Sequence, residues 1–391
     1  MDSSERGAIE ARKARVFFDY LRKQVLPIRP SQYDLSNTCN LVCEGCLFFA
    51  GSDYQGHVPV TDLEQVDRFF AAEAARGINY AEVAGAEPSL VENKLVVMAR
   101  HIPRGVIYTN GTRKLTRELN YRLQISLWGL PEESAKLRGA NIFAKQVRNY
   151  GTDPRAIFVF TVTGQNVGSI PAMAKMCAEE GLRLSFNHYS PTTDYLRDLN
   201  DGQVNRSDYF RFSDSQDNLL LSPNDLARSQ ALIAEAMERY PQSILYDHAF
   251  NVWVHRPEGL YSIDPETGIA SNCAARVTSH YRHFHVDLQD AGDVKCCTPN
   301  IDCKACRLYA QSLGSILQHQ TGRSRRGADF EKWMGLWRLW HILFWGELPA
   351  LDEVQTPVNS RFLPVRLLDN GPARASSQAV TRQEANLSST T

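Results

Sequence analysis

The chain has 391 residues, of which 43% are hydrophobic and 22% charged, a balance that suits a globular protein and excludes a wholly disordered one. That length accommodates one large domain with an appendage, or two domains. The formal net charge of −1 gives bulk electrostatics no reason to draw in nucleic acid or an anionic membrane.

Residues 1–30 are predicted to form a charged helix that ends near Pro27 and Pro30. Glu5, Arg6, Glu10, Arg12, Lys13 and Arg15 deny this stretch the apolar centre of a signal peptide. A strand–helix alternation starts at residue 31. Strand-like runs fall at Gln32–Leu35, Tyr80–Ala84, Gly105–Tyr108, Leu123–Leu127, Ile157–Val162 and Leu182–Phe186. Helical patterns fall between them, at Thr61–Arg76, Leu90–His101, Arg113–Leu119 (short), Ala140–Tyr150 and Val167–Glu180. Gly77 and Gly181 stand where two of these helices should stop. Repeated β-α units imply a parallel sheet with right-handed crossovers. The expected fold class is therefore α/β, a partial (β/α)6 TIM-like barrel over residues 31–190, with its site at the C-terminal ends of the strands.

Beyond residue 190 the alternation stops. Residues 191–270 are predicted as an extension with a polar, turn-rich start and a helix at Pro223–Tyr240. Strands at Arg282–Leu288 and Val294–Cys297 flank a hairpin turn at residues 289–293. Residues 311–346 include the aromatic helix Phe330–Trp345, where Trp333, Trp337, Trp340 and Trp345 hold four of the six tryptophans. A helix packed across the barrel is the expected role, ahead of a hydrophobic substrate mouth or a membrane-surface contact. Residues 347–391 form a tail, predicted to be disordered from about residue 371. No uninterrupted apolar run reaches the roughly 20 residues needed to span a bilayer.

Eight of the nine cysteines fall in two groups, spaced for metal ligation rather than for a secreted disulfide framework, so a reducing cytoplasm is the expected compartment. The first group is Cys39, Cys43 and Cys46, in C-N-L-V-C-E-G-C. It follows the first strand directly, which places it in the first β-α loop. Soft thiolates select zinc or iron–sulfur centres. Structural zinc takes four protein ligands, and no fourth Cys or His lies nearby before His57.

Three further motifs follow in order: V-A-G-A-E-P-S-L after strand two, Y-T-N-G-T after strand three and I-S-L-W-G after strand four. With the triad, they resemble the radical S-adenosylmethionine enzymes across residues 31–190. The resemblance implies that Cys39, Cys43 and Cys46 ligate a [4Fe–4S] cluster whose fourth iron is chelated by the methionyl amine and carboxylate of S-adenosylmethionine. It also implies that reductive cleavage yields a 5′-deoxyadenosyl radical, which abstracts hydrogen from substrate. Gly85-Ala86-Glu87-Pro88 is similar to the family's Gly-Gly-Glu-Pro, so Gly85 and Glu87 are expected at the methionyl amine. Ser126 is expected at the ribose and Arg138 at the substrate or the cofactor carboxylate. The family commonly has an aromatic residue just before the third cysteine. Gly45 stands there instead, which leaves adenine stacking to Phe48 or Phe49.

The second group, Cys273, Cys296, Cys297, Cys303 and Cys306, resembles the auxiliary-cluster extensions called SPASM and twitch. Residues 271–310 are thus expected to form a small α+β region holding one further [4Fe–4S] cluster. Its expected ligands are Cys273, Cys297, Cys303 and Cys306, with Cys296 as the substitute for Cys297. A zinc ribbon-like site is the alternative, because Cys₄ ligation suits zinc equally well. His283 and His285 share a strand face, where packed or solvated histidine is the expectation. Asn187, His188, Tyr189 and Asp194 follow the sixth strand and are positioned to face substrate. Cys177 is expected in the core.

The function expected is an oxidoreductase acting on a small polar metabolite (a sugar, an aminocyclitol or a natural-product intermediate), with flavodoxin or ferredoxin as reductant. A peptide-modifying maturase is the alternative, weakened because residues 1–30 are too short for a leader-binding domain. A non-enzymatic iron–sulfur or zinc protein is the alternative of another class.

Overall fold

The computed structural model describes residues 3–49, 56–278, 280–292, 300–321 and 328–348. The tail beyond 348, the strand expected at Val294–Cys297, and Cys296 and Cys297 themselves lie outside the described residues.

The described chain runs through α1 (Ser3–Gln24), β1 (Pro30–Asp34), α2 (Leu63–Ala75), β2 (Tyr80–Ala84), α3 (Glu92–His101), β3 (Gly105–Thr109) and β4 (Arg122–Leu127). It continues through α4 (Pro131–Arg138), α5 (Phe143–Tyr150), β5 (Ala156–Val162), α6 (Ile170–Glu179), β6 (Leu184–His188), α7 (Thr193–Asn200), α8 (Pro223–Arg239) and α9 (His248–Val254). Then come α10 (Ala274–Val277), β7 (His283–Phe284), α11 (Tyr309–Thr321) and α12 (Ala328–Trp340), which runs into a π-helical turn at His341–Trp345. The sheet order is β6-β5-β4-β3-β2-β1-β7 and every pairing is parallel. The fold is thus the expected α/β partial barrel.

Its six core strands stand where the sequence pattern put them, apart from small shifts at the ends. The largest shift is at β6, which carries Asn187 and His188 inside the strand. One helical expectation fails. Residues 113–119 are not helical, because their backbone is held from outside: Arg155 donates to the Thr116 carbonyl (2.7 Å) and Tyr150 Oη accepts from Leu115 N (3.0 Å). Helix α4 was unexpected, although Pro131 at its start, Glu132 and Glu133 in its first turn and Gly139 at its end are ordinary helix signals. A third difference is β7, which pairs in parallel with β1. The chain turns back within His285–Gln289, where His285 N donates to Gln289 O (3.0 Å) and Leu288 N to His285 O (2.9 Å). That turn precedes the expected one, and it makes the region after residue 271 a supplier of the barrel's seventh strand.

Side chains alternate across the sheet with period two. Tyr33, Val83, Ile107, Leu123, Ile125, Phe158 and Phe160 face outward into one buried cluster beneath α2, α3, α5 and α6. Tyr80, Val106, Ile157 and Val159 face inward, against a second cluster from α1, α9, α11 and α12. The π-helical turn seals this interior near the strand starts, where Tyr80 Oη donates to Phe344 O (2.6 Å) and Arg122 Nε to Ile342 O (2.8 Å). Trp333 and Trp337 stack edge-on at 6.1 Å in the same layer. The aromatic helix is therefore part of the core. Among the described residues no helix is long and apolar enough to cross a membrane.

One inward carboxyl is out of place in so apolar an interior. Burial pushes Glu82 up to about 7 against the hydrogen bond from Tyr281 Oη (3.0 Å), which works to lower it. A carboxyl whose folded value exceeds its unfolded value costs stability as pH rises between the two. Glu82→Gln is therefore expected to raise the thermal midpoint at pH 8 while leaving it unchanged at pH 5. Equal shifts at both pH values in a melting series would contradict this assignment.

Candidate functional site

The loop after β1 carries Cys39, Cys43 and Cys46, all three partly buried, and the extension after residue 200 clamps it. Glu44 is fully buried, and its carboxylate accepts from Arg211 N (2.9 Å) and Ser213 N (3.2 Å). Gly45 N donates to Tyr209 O (2.7 Å) and Glu44 N to Leu137 O (2.7 Å).

Gly45 adopts φ +55°, and a Cβ there would lie 2.3 Å from Tyr189 Oη. Tyr189 occupies the space and donates to Gly45 O (2.8 Å). The missing aromatic before the third cysteine thus has a physical reason, since a ring from the end of β6 fills that volume.

The carboxylate of Glu87 is buried and heavily engaged. It accepts from Ser89 N (3.0 Å), Thr109 Oγ1 (2.6 Å) and Asn110 N (2.8 Å), and Glu87 N donates to Thr38 O (3.1 Å). Glu87 therefore ties the ends of β2 and β3 to the cysteine loop, which leaves about one acceptor direction of a carboxylate's four. Gly85 turns the chain at φ +58°, and Ala84, Ala86 and Glu87 line the cavity beside it. Asn110 Nδ2 lies 3.7 Å from Cys39 Sγ and 2.8 Å from Asn40 Oδ1. This amide sits in Y-T-N-G-T, yet the sequence assigned it no role.

One cavity of ≈ 230 Å³ gathers the first motif set. Cys39, Cys43, Cys46, Phe48, Glu87, Ser126 and Arg138 all line it. Phe49 does not, because its ring stacks on Tyr209 at 4.8 Å. The Ser126 carbonyl accepts from Gln146 Nε2 (2.8 Å) and from Arg138 Nη1, so β4, α4 and α5 meet there. Arg138 is buried and its Nε has no hydrogen-bond partner. A buried guanidinium N–H without a partner is a ready donor for an anion.

Burial pushes the Cys39 thiol up; burial and then the neighbouring Cys43 push the Cys46 thiol to about 12. A bound cationic centre reverses that preference, because it stabilises thiolate directly. Three soft donors beside an unpartnered guanidinium fit an iron–sulfur cluster with an anionic ligand.

The far wall of the cavity comes from the segment that opens α11, remote in sequence from the four motifs. Leu308, Tyr309 and Ala310 line it, held by Arg307 N to Ser190 Oγ (2.8 Å) and Tyr309 N to Asn187 Oδ1 (3.0 Å). Trp128, Tyr108 and Thr161 also line it unforeseen. Their alternation with outward core residues on β3, β4 and β5 was the available signal. Of the four residues placed after strand six, Asn187 and Tyr189 line the cavity. His188 turns away into a buried contact with His255 (2.8 Å). Burial, then the neighbouring His255, hold it well below its usual value. Asp194 pairs with Arg197 on α7 (2.7 Å).

In the second group, Cys273 caps α10 and shares a small apolar cluster with Cys303 and Tyr261. Cys306 sits with Ile301 and Leu308 in an adjoining cluster that also touches Tyr261, and Leu47 of the cysteine loop packs on it. Cys177 is buried in the core as expected.

No protein-family profile matches the chain, and no curated protein matches it. Among solved structures the chain is similar to Streptococcus suis SuiB bound to S-adenosylmethionine. The two share 16% identity over 76% of this chain and 66% of that one, with a TM-score of 0.48. It is also similar to anSMEcpe with bound AdoMet (15% identity, 74% of this chain, 83% of that chain, TM-score 0.46). A third likeness is the FeFe-hydrogenase maturase HydG from Carboxydothermus hydrogenoformans (13%, 84% and 82%, 0.38). The chain spans about two thirds of the length of the SuiB chain.

Proposed function

We propose that this chain is a radical S-adenosylmethionine enzyme that abstracts hydrogen from a small polar metabolite, as an oxidoreductase with one auxiliary cluster. The observation that carries this reading is the convergence of four separate sequence motifs on one cavity. Cys39, Cys43 and Cys46 would hold a [4Fe–4S] cluster, and Arg138, through its unpartnered Nε, would pair with the cofactor's carboxylate. When bound, the cluster and S-adenosylmethionine together supply a 5′-deoxyadenosyl radical.

The chain's own residues do the rest. Glu87 fixes the β2 and β3 ends against the cysteine loop and offers its remaining lone pair to an ammonium. Gly85, at φ +58°, lets the backbone approach the ligand closely, and Ala86 lines the cavity beside it. Phe48 and Tyr189 present rings to the cavity, and Asn110 places an amide N–H near Cys39 sulfur, where a hydrogen bond tunes a cluster. Leu308, Tyr309 and Trp128 exclude water around the reacting atoms. Ser126 would face the cofactor's ribose, and Thr161 and Asn187 supply polar groups for a substrate.

A peptide-modifying maturase is the alternative to test against. Cys273, Cys303 and Cys306, with Cys297, are proposed as ligands of the auxiliary cluster, and flavodoxin or ferredoxin as the reductant.

The test is 5′-deoxyadenosine release by protein reconstituted anaerobically with iron and sulfide, given S-adenosylmethionine and dithionite. Release, stimulated by small polyols and aminocyclitols above peptides, is the expected result. A preparation with full iron content that never releases 5′-deoxyadenosine would refute the reading.

A further inference from the structure

We propose that Asp34, His283 and His285 bind one divalent first-row transition-metal ion, zinc or a close relative, at the open edge of the barrel. The pairing register brings them together. β1 and β7 run parallel with Gln32 opposite His283, so period-two alternation sets His283 and His285 on the inward face shared by Gln32 and Asp34. Phe284 points the other way and stacks on Tyr33 at 5.6 Å.

One ligand atom from each of the three residues lies within 4.8 Å of the others. His283 Nε2 is 2.8 Å from Asp34 Oδ2. Asp34 is fully buried, yet its Oδ1 accepts no hydrogen bond, and neither does the buried Nδ1 of His285 take part in one. A carboxylate oxygen and an imidazole nitrogen left in this state each carry a desolvation cost that a shared cation removes.

The donor chemistry is specific. Two imidazoles and one carboxylate suit zinc, iron, cobalt or nickel, and they differ in kind from the all-thiolate groups elsewhere in the chain. Outside the trio, His57 stacks on His285 with centroids 4.3 Å apart, and its Nδ1 lies 3.0 Å from Asp287 Oδ2. This is the kind of outer support that orients a metal-binding ring. Three protein ligands leave the fourth position of a tetrahedral ion to water. On binding, the ion displaces to solvent the proton held between His283 Nε2 and Asp34 Oδ2.

The experiment uses protein whose cysteines are already committed to reconstituted clusters, stripped of loose metal and titrated anaerobically with zinc chloride in a calorimeter. Wild type is expected to take up about one equivalent at this site and to gain thermal stability with it. His285→Ala and the isosteric Asp34→Asn should weaken that uptake by more than about 100-fold, beyond the loss typical of an outer-shell change. A Cys303→Ala/Cys306→Ala variant should retain it. Wild type that binds no zinc, or uptake unchanged in both His285→Ala and Asp34→Asn, overturns the proposal. Uptake lost only in the cysteine variant does so as well, by assigning the zinc to thiolates. None of these readouts depends on S-adenosylmethionine cleavage.

Discussion

Alanine at Cys39, Cys43 and Cys46 together is expected to reduce 5′-deoxyadenosine release to background and to lower bound iron from about eight to about four per chain. The three cysteines line the same cavity as Glu87, Ser126 and Arg138, whereas Cys273 and Cys303 pack in a separate apolar cluster. Removing one set should therefore leave the other loaded. Burial disfavours the thiolate at Cys39 and Cys46, so their substitution removes no buried charge from the metal-free fold. The thermal midpoint of the metal-free variant should consequently stay close to that of metal-free wild type. Iron and sulfide analysis with parallel product assays checks this. A variant that keeps about eight irons would place the first cluster elsewhere, and one that keeps none would make the second group a zinc site or an empty one.

Gly45→Phe is expected to be nearly as damaging, through sterics alone. The position has φ +55°, and its Cβ would sit 2.3 Å from Tyr189 Oη and 2.8 Å from Leu219 Cδ1. A non-glycine residue in that region costs about 1–3 kcal/mol before any clash is counted. The ring would also displace Tyr189, whose hydroxyl donates to the Gly45 carbonyl, and so pull the third cysteine away from the cavity. Iron loading of the first cluster should fall severalfold, while Gly45→Ala shows a smaller loss. Tyr189→Phe keeps the ring and removes one hydrogen bond, worth about 1 kcal/mol, and should load normally. Equal loading of Gly45→Phe and wild type would mean that the loop is not held as described.

Much of the barrel was legible because its signals are local. Strand runs such as Tyr80–Ala84, with their period-two alternation, and glycine stops at Gly77 and Gly181 need no partner to be read. Residues 113–119 misled for the opposite reason: side chains of Tyr150 and Arg155, distant in sequence, capture backbone groups that a helix would have used. The far wall at Leu308–Ala310 could not be read either. Its place depends on Ser190 and Asn187 accepting from backbone more than a hundred residues away.

By itself the sequence determined the α/β class, the order of strands, the cysteine loop after β1 and the motif residues after β2 to β4. Each of these is written in spacing along a single segment. Only the tertiary structure decided which ring fills the space beside Gly45, how fully Glu87 is engaged, and that the aromatic helix seals the barrel interior. It alone decided that β7 joins β1 and sets two histidines beside Asp34. Hydrogen bonding and steric exclusion act between neighbours in space, and chain spacing carries no record of neighbours some 250 residues apart, as Asp34 and His283 are (|i−j| = 249).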